Sequence, residues 1–274
     1  MSLRNASLVF IGGGVMGEAM IRRLVEGATV APSQIAVIEP LEERRAALVD
    51  RYAVQARSEI DDALSRAQIV VLAVKPQVMG AVLEALQSRV HPEALIFSIA
   101  AGIPIARITQ ALGERQPVVR VMPNTPAQIG AGMSVWTCTS SVRPDQREQA
   151  LVLLRAMGEE VFVEDEHDLD MATALNGSGP AYVFLFMEAL VDAGVHLGLP
   201  RPVVERLVLQ TVKGSVEYAL SSRLHLAQLR NQVTSPGGTT AAALHAFEEG
   251  QLRAVVARAV WAAYRRSVEL GQGH

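Results

Sequence analysis

The clearest chemical signature lies near the N-terminus, where residues 12–17 read GGGVMG and have the spacing G-x-G-x-x-G. The apolar stretch Leu8–Ile11 precedes this segment, and a helical pattern, Met16–Glu26, follows it. In a strand–turn–helix unit these glycines would permit a tight turn, a close backbone approach to a pyrophosphate and close helix packing. We therefore predict a nicotinamide dinucleotide site with the phosphates at the helix N-terminus. The residues assigned to it are Ile11, Gly12, Gly13, Gly14, Val15, Met16 and Gly17.

The residues after the second predicted strand leave the choice between NADH and NADPH open. Glu39 closes that strand, and an acidic residue about 20 positions beyond the glycine turn commonly binds the ribose hydroxyls of NAD. Arg44 and Arg45 follow a few residues later and could meet the 2′-phosphate of NADP, or they could be solvated helix residues. We assign Glu39 and Arg44 to the cofactor and predict NADPH or NADH.

Another strand ends in Ala73-Val74-Lys75-Pro76, where the proline stops the strand and leaves Lys75 at its rim. The carboxyl ends of strands in such a sheet face the ligand crevice. An ammonium at this place could hold the ribose hydroxyls or orient the nicotinamide, whereas a plain surface lysine is the alternative. We predict that all four residues contact the cofactor and that Lys75 also takes part in catalysis.

A second candidate site lies in residues 233–240, which read VTSPGGTT before a helical pattern. Gly237 and Gly238 have no side chains and would leave the backbone N–H groups exposed. Thr239 and Thr240 would lie at the N-cap or in the first turn of the helix. This arrangement predicts an anion site with hydroxyls beside it, suited to a small carboxylate. An ordinary capped helix start is the alternative, although two glycines and two threonines exceed what capping requires.

The elements that must position these residues change character along the chain. Up to about residue 165, β-rich stretches alternate with helical patterns, which predicts a parallel sheet with right-handed crossovers. Only helical patterns follow. We predict an α/β fold: a Rossmann-type, doubly wound domain over residues 1–164 and an all-helical domain over residues 165–274. The predicted strands are Leu8–Ile11, Ile35–Ile38, Ile69–Val74, Leu95–Ala100, Val118–Met122, Met133–Thr137 and Glu160–Val163. The predicted helices of the second domain are Ala181–Leu197, Pro202–Leu220, Thr240–Glu248 and Gln251–Leu270.

Composition narrows the possible partners. Half of the residues are hydrophobic and the net charge is −3, without a cluster of Lys and Arg, so we expect no nucleic-acid partner. No apolar stretch reaches the roughly 20 residues that span a bilayer, because Glu188, Asp192 and His196 interrupt Ala181–Leu197, the longest one. The helices of the second domain are nevertheless too apolar to be fully solvated, which predicts packing against another subunit.

The number of cysteines and the N-terminal residues indicate the cellular compartment in which the protein is expected. The single Cys138 excludes an intrachain disulfide and a cysteine zinc site. The first ten residues, MSLRNASLVF, run directly into the glycine turn, so we expect no cleaved signal peptide. A reducing cytoplasm is the expected setting.

Taken in order, six segments resemble the pyrroline-5-carboxylate reductase family over nearly the whole chain. After the glycine turn they are AVKP at Ala73–Pro76, SIAAG at Ser98–Gly102, MPNTP at Met122–Pro126, GSGPAY at Gly177–Tyr182 and TSPGGTT at Thr234–Thr240. The resemblance implies a Rossmann domain followed by a helical dimerisation domain. It also implies a homodimer, in many members assembled into a decamer of five dimers.

The resemblance implies a reaction as well: a nicotinamide hydride reduces the C=N bond of 1-pyrroline-5-carboxylate to L-proline, the last step of proline biosynthesis, without a metal. Thr240 would sit beside the imine nitrogen, with water as the ultimate proton source. Asn124 and the stretch Ser98–Gly102, with Ala100 and Ala101, would line the nicotinamide pocket. The implied substrate residues are Ser178, Ser235, Gly237, Gly238, Thr239 and Thr240.

The chain departs from the family pattern at several positions. Val15 replaces a frequent asparagine, Asn176 stands where serine is common, and Glu39 and Leu41 replace residues that are often small and hydroxylated. Two alternatives remain. One is a related imine reductase or β-hydroxyacid-dehydrogenase-like enzyme, although the catalytic lysine of the latter is absent from Ala181–Leu197. The other is a dinucleotide-binding protein without catalysis.

Overall fold

The structure, a computed structural model, describes Leu3 and residues 6–271; four of the ten residues behind the signal-peptide expectation therefore lie outside it. The chain divides into two compact units. We call the described residues of 1–178 and 263–274 the sheet unit and residues 179–262 the helical unit. The last helix begins in the helical unit and ends in the sheet unit.

The sheet unit is built on eight strands in the order β3-β2-β1-β4-β5-β6-β7-β8. Strands β1 to β6 pair parallel to one another. This order reverses between β1 and β4, which makes the fold doubly wound, as predicted, and places a crevice at that point. The strands are β1 (Leu8–Ile11), β2 (Ile35–Ile38), β3 (Gln55–Arg57), β4 (Ile69–Leu72), β5 (Leu95–Ser98), β6 (Val118–Met122), β7 (Gly132–Cys138) and β8 (Gly158–Phe162).

Two features of the sheet differ from the sequence prediction. Strand β7 runs antiparallel to β6, because only the short 3₁₀ segment Thr125–Ile129 joins them and a parallel pair needs a longer crossover. Strand β3 was not predicted. It has three residues, none of them buried, so it lacks the apolar run that marks a strand.

Helices cover both faces of the sheet, and side chains alternate between two cores. Phe10 faces a core with residues of α1, α2 and α5, whereas its neighbours Val9 and Ile11 face a core with residues of α3 and α4. All four residues of β1 are buried, as expected for a central parallel strand. The helices are α1 (Val15–Glu26), α2 (Glu42–Tyr52), α3 (Met79–Leu86), α4 (Ile105–Leu112) and α5 (Pro144–Met157).

The remaining helices follow β8. They are α6 (Asp168–Ala172), a π-helical turn (Thr173–Gly177), α7 (Gly179–His196), α8 (Arg201–Ser221), α9 (Leu226–Gln232), α10 (Thr239–Glu249) and α11 (Leu252–Gly271). The two compact units divide after Ser178. Residues 165–178 group with the sheet because Leu169 and Ala174 are buried and Arg120 of β6 pairs with Glu166 at 2.6 Å.

The helical unit buries little of its apolar surface within the chain. Helix α7 buries only Val191 and α10 buries no residue, while Phe184, Leu185 and Leu197 are 60%, 66% and 86% exposed. Residues 168–196 form one helical stretch that, by length and composition alone, is long and apolar enough to cross a membrane. It exceeds the stretch counted from the sequence because the turns before Ala181 continue the helix. Exposed apolar area of this extent indicates a surface that a partner covers.

Candidate active site

Three sequence-predicted segments meet at the carboxyl edge of the sheet. Strand β1 lies between β2 and β4, with Ile11 opposite both Ile38 and Leu72. The residue after β1, Gly12, donates its N–H to the Ile38 carbonyl at 2.8 Å, and Ala73 donates to the Ile11 carbonyl at 2.9 Å. The glycine turn, Glu39 and the segment Ala73–Pro76 therefore border one crevice, at the place where the strand order reverses.

Packing requires a glycine at two positions of the turn, whereas a third glycine borders open space. Gly12 has φ +98°, and a Cβ there would lie 2.8 Å from the Ala73 carbonyl oxygen. A Cβ on Gly17 would lie 2.7 Å from the Gly12 carbonyl oxygen, so this glycine lets α1 approach the turn. Gly14 differs, because a Cβ there would meet no atom within 4 Å. Gly12 and Gly17 thus serve internal packing, whereas Gly14 borders open space.

The N-terminus of α1 offers uncapped backbone donors. Gly14 is the N-cap residue, with extended backbone and no side-chain cap. The first N–H groups of a helix lack intrahelical acceptors and carry the positive end of the helix dipole. Val15, the first residue of the helix, is 64% exposed. Such a helix start fits a phosphate group.

Glu39 lies beneath the glycine turn and is 7% exposed. One of its carboxylate oxygens accepts the Gly13 N–H at 2.8 Å, and the other accepts the Leu41 N–H at 3.1 Å. Residue 13 is itself confined, because a Cβ there would lie 2.6 Å from the Leu48 side chain. The carboxylate is therefore held between the turn and the end of β2.

The two arginines considered for a 2′-phosphate are partly exposed, and each donates through one guanidinium nitrogen to acceptors of the protein. Arg44 donates to the Glu18 carboxylate at 2.8 Å and to the Gly13 carbonyl. Arg45 donates to the backbone carbonyls of Glu39 and Pro40 at 2.8 and 2.7 Å. Both guanidinium groups thus brace the glycine turn and the end of β2.

Glu18, on the first turn of α1, was not singled out from the sequence. Its carboxylate also accepts hydrogen bonds from Arg51 at 2.9 Å and Tyr52 at 3.1 Å. Burial raises the pKa of Glu18, but the hydrogen bonds from Arg44, Arg51 and Tyr52 outweigh burial and hold the pKa below its ordinary value. The only sequence signal was the acidic first turn of α1 opposite basic residues of α2.

Lys75 follows β4 by three residues and precedes a 3₁₀ turn that Pro76 begins. The side chain of Lys75 is exposed. In the next strand over, Ser98 ends β5, and its hydroxyl is fully buried without a hydrogen-bond partner among the described residues. Ala100 is 4% exposed and its methyl packs in the core beneath α3 and α4, so only its backbone can contact a ligand. Ala101 is half-buried.

Asn124 and Asn176 form an amide pair at the end of β6. Asn124 donates to the Asn176 side-chain oxygen at 2.8 Å and accepts the Met133 N–H at 2.9 Å. Asn176 in turn donates to the carbonyls of Met122 and Met133 at 3.2 and 3.0 Å. Residue 176 lies on the π-helical turn directly before Ser178. The pair joins β6, β7 and this turn, a role that the sequence did not reveal.

The loop before α10 belongs to the helical unit. Gly238 is the N-cap of α10, with extended backbone and no side-chain cap, and Thr239 and Thr240 occupy the first turn. Gly237 has φ +69°, in the left-handed region that favours glycine. The Gly238 N–H donates to the Ser235 carbonyl at 3.0 Å, which closes the turn. The loop thus presents an uncapped helix start beside two hydroxyls.

The described part of the chain contains no group of three or more His, Cys, Asp or Glu side chains that could hold a metal ion. Burial raises the pKa of the Cys138 thiol, and Arg147 offsets this only in part. The two candidate sites present backbone amides, hydroxyls, the Glu39 carboxylate and the Lys75 ammonium.

Two family models match the chain. Residues 166–270 match the model described as pyrroline-5-carboxylate reductase dimerisation. Residues 7–102 match the model described as NADP oxidoreductase, coenzyme F420-dependent. The first match contains the loop before α10, and the second contains the glycine turn, Glu39 and Lys75.

Relatives and solved structures agree with these matches along the whole chain. A pyrroline-5-carboxylate reductase of Pseudomonas aeruginosa is 44% identical over 265 residues, covering 97% of both chains. One from Synechocystis is 43% identical, covering 98% of this chain and 99% of the relative. The crystal structure of Plasmodium falciparum pyrroline carboxylate reductase with NADP bound superposes with a TM-score of 0.90 at 32% identity, covering 98% of this chain and 99% of that one. The chain therefore belongs to the pyrroline-5-carboxylate reductase family.

Proposed function

We propose that this protein reduces the C=N bond of 1-pyrroline-5-carboxylate to L-proline, the last step of proline biosynthesis, with NADH or NADPH as reductant. The observation that carries the proposal is the similarity over 97% of the chain to a pyrroline-5-carboxylate reductase. Both the glycine turn and the loop before α10 lie within that span. A protonated imine is already a good electrophile, so the protein has to bind and orient two reactants.

The crevice of the sheet unit fits a dinucleotide. Gly14 borders open space, and the uncapped start of α1 supplies N–H donors for a pyrophosphate. Glu39 lies at the strand end where ribose hydroxyls bind in this fold. Lys75 is exposed at the next strand end, where its ammonium would hold the nicotinamide ribose. When bound, the nicotinamide supplies the hydride. The proposed cofactor residues are Ile11, Gly12, Gly13, Gly14, Val15, Met16, Gly17, Glu39, Arg44, Ala73, Val74, Lys75, Pro76, Ala100, Ala101 and Asn124.

The loop before α10 fits a small carboxylate. Its backbone N–H groups would bind the substrate carboxylate at the helix start. The Thr240 hydroxyl would hydrogen-bond the imine nitrogen and pass a proton to it from water, since a threonine alone is a poor acid. The proposed substrate residues are Ser178, Ser235, Gly237, Gly238, Thr239 and Thr240.

We infer that a second copy of the chain covers the apolar surface of the helical unit. The match to a dimerisation model over residues 166–270 supports this occupant, and the exposed Phe184, Leu185 and Leu197 provide the apolar area. A homodimer, and a decamer of five dimers, follow as proposals, as does a cytoplasmic setting without a membrane or nucleic-acid partner. We likewise propose residues 1–164 as the dinucleotide domain and residues 165–274 as the domain for substrate and dimerisation.

The test is oxidation of NADH and NADPH by the purified protein in the presence of 1-pyrroline-5-carboxylate. We expect turnover with at least one cofactor, and no turnover with either would refute the proposal. Thr240→Val removes the hydroxyl at nearly constant volume, whereas Thr240→Ser keeps it. We expect Thr240→Val to lower kcat by about 100-fold, within the range for lost proton transfer, with Thr240→Ser close to wild type. Unchanged kcat in Thr240→Val would remove this hydroxyl from the mechanism.

A further inference from the structure

The charge distribution around the end of β2 bears on which dinucleotide this site accepts. The Glu39 carboxylate is 7% exposed and is held by the N–H groups of Gly13 and Leu41. Each oxygen accepts one of these bonds, which leaves acceptor positions on both for a ligand hydroxyl that reaches them. The group is therefore fixed in place and retains acceptor positions.

The location of this carboxylate matters because β2 neighbours β1 and its glycine turn. In a doubly wound sheet, a ligand with its pyrophosphate on that turn has its adenosine ribose at the end of β2. A 2′-hydroxyl at that place can donate to Glu39. A 2′-phosphate cannot donate when ionised, and its negative charge would lie against a carboxylate that packing prevents from moving away.

A 2′-phosphate needs cationic partners to offset that repulsion, and each nearby arginine already donates through one guanidinium nitrogen to acceptors of the protein, which restricts how it can turn towards a phosphate. Arg44 is paired with Glu18 and bonded to the Gly13 carbonyl. Arg45 is bonded to the carbonyls of Glu39 and Pro40. Releasing Arg44 would leave the carboxylate of Glu18, which is only 16% exposed, with fewer donors. The exposed Leu41 offers a phosphate no hydrogen bond.

We propose that this enzyme is selective for NADH over NADPH, and that Glu39 is the residue that sets this selectivity. The proposal deepens the proposed function and rests on it for the turnover measurements alone, because discrimination at the adenosine ribose is a property of the sheet unit. Glu39 acts here as a binding residue that accepts from one ligand and repels the other.

The primary test is equilibrium binding by isothermal titration calorimetry, without any imine substrate. The probes are ADP-ribose and 2′-phospho-ADP-ribose, which lack the nicotinamide and differ only at the ribose, followed by NADH and NADPH. We expect wild-type protein to bind the member of each pair without the phosphate at least tenfold more tightly. We expect kcat/KM with 1-pyrroline-5-carboxylate to favour NADH by a similar factor.

Two variants test whether the Glu39 charge causes the preference for the unphosphorylated probes. Glu39→Gln removes the charge and keeps one acceptor, so we expect the preference to shrink by at least fivefold, through both weaker ADP-ribose and stronger 2′-phospho-ADP-ribose binding. The matched control is Glu43→Gln, which removes one charge from an exposed residue in the first turn of α2. We expect the control to keep the wild-type preference.

The possible results separate the selectivity, its assignment to Glu39 and the proposed reaction. Equal or tighter binding of the phosphorylated probes by wild-type protein would overturn the proposal, whether or not any variant folds. A preference that Glu39→Gln and Glu43→Gln reduce equally would overturn the assignment to Glu39. If ADP-ribose binds selectively but neither cofactor turns over, the proposed reaction fails while the selectivity stands.

Discussion

Replacing Gly12 by alanine tests whether backbone conformation and packing require glycine at the first position of the turn. The residue has φ +98° and a new Cβ would lie 2.8 Å from the Ala73 carbonyl oxygen and 2.9 Å from a Val74 methyl. Forcing an alanine into such a backbone region costs about 1–3 kcal/mol. Overpacking against a backbone carbonyl costs about another 1–3 kcal/mol. We expect the free energy of unfolding to fall by about 2–6 kcal/mol, a large part of the total stability of a typical domain.

The matched control is Gly14→Ala in the same turn. Gly14 has φ −66° and ψ −176°, which alanine adopts without strain, and a Cβ there meets no atom within 4 Å. We expect a change in unfolding free energy of under about 1 kcal/mol, because only an N-cap preference is lost. Dinucleotide binding should nevertheless weaken at least tenfold, since the methyl would occupy the space through which a pyrophosphate approaches the backbone.

The assay is urea unfolding followed by circular dichroism at one fixed protein concentration, because oligomer stability depends on concentration. NADH binding is titrated in parallel. The two variants are expected to differ in kind: Gly12→Ala lowers the free energy of unfolding, whereas Gly14→Ala remains folded and binds NADH more weakly. If Gly12→Ala unfolds at the wild-type urea midpoint, or if Gly14→Ala is the less stable of the two, the steric reasoning is wrong.

Three further predictions concern other parts of the chain. Asn176→Ala should lower the free energy of unfolding by about 1–3 kcal/mol, because it removes the acceptor of the Asn124 side-chain N–H and the side-chain donor to the carbonyls of Met122 and Met133. Glu18→Gln should weaken the loss of stability at low pH, measured as the free energy of unfolding in urea against pH. The pKa of Glu18 is lowered in the folded state, so the Glu18 carboxylate stabilises the fold above the unfolded pKa of about 4.3, and this stabilisation is lost as the pH falls through the folded pKa. Phe184→Asp, at a position 60% exposed, should shift the dimer to monomer in sedimentation velocity.

Each of these predictions has its own contrary outcome. Wild-type stability of Asn176→Ala would show that the amide pair is dispensable. For Glu18→Gln, an acid limb as steep as that of the exposed control Glu43→Gln would show that the arginine cluster adds nothing. Phe184→Asp remaining a dimer at micromolar concentration would place the interface elsewhere on the helical unit.

Local patterns were sufficient to predict most elements of this protein. The strand Leu8–Ile11 and the four predicted helices of the second half lie within one or two residues of their predicted ends, because apolar periodicity and flanking glycines or prolines are local signals. The short helices Asp168–Ala172 and Leu226–Gln232 were not predicted. The short strand Gln55–Arg57 and the antiparallel direction of β7 were missed. The first depends on pairing with a neighbouring strand and the second on the short connection between β6 and β7, and the apolar pattern used to predict strands encodes neither.

The start of the helical stretch over residues 168–196 was also missed. The predicted helix Ala181–Leu197 omits the helical turns before it, where Gly177 and Gly179 interrupt the helical pattern. Glycine lowers helix propensity, but tertiary packing of residues 165–178 with the sheet overrides that preference. A single-residue propensity is a weak guide where a segment is held by its neighbours.

The sequence by itself determined the types of group at each site: the glycine turn, the acidic residue after β2, the lysine after β4 and the threonine loop. Only the tertiary structure decided what each group is free to do. It showed that Gly12 and Gly17 serve packing while Gly14 borders open space, and that Arg44 and Arg45 already have acceptors. The reason is physical: residue type sets which bonds a side chain can make, but the partner that takes each bond arrives from a distant part of the chain.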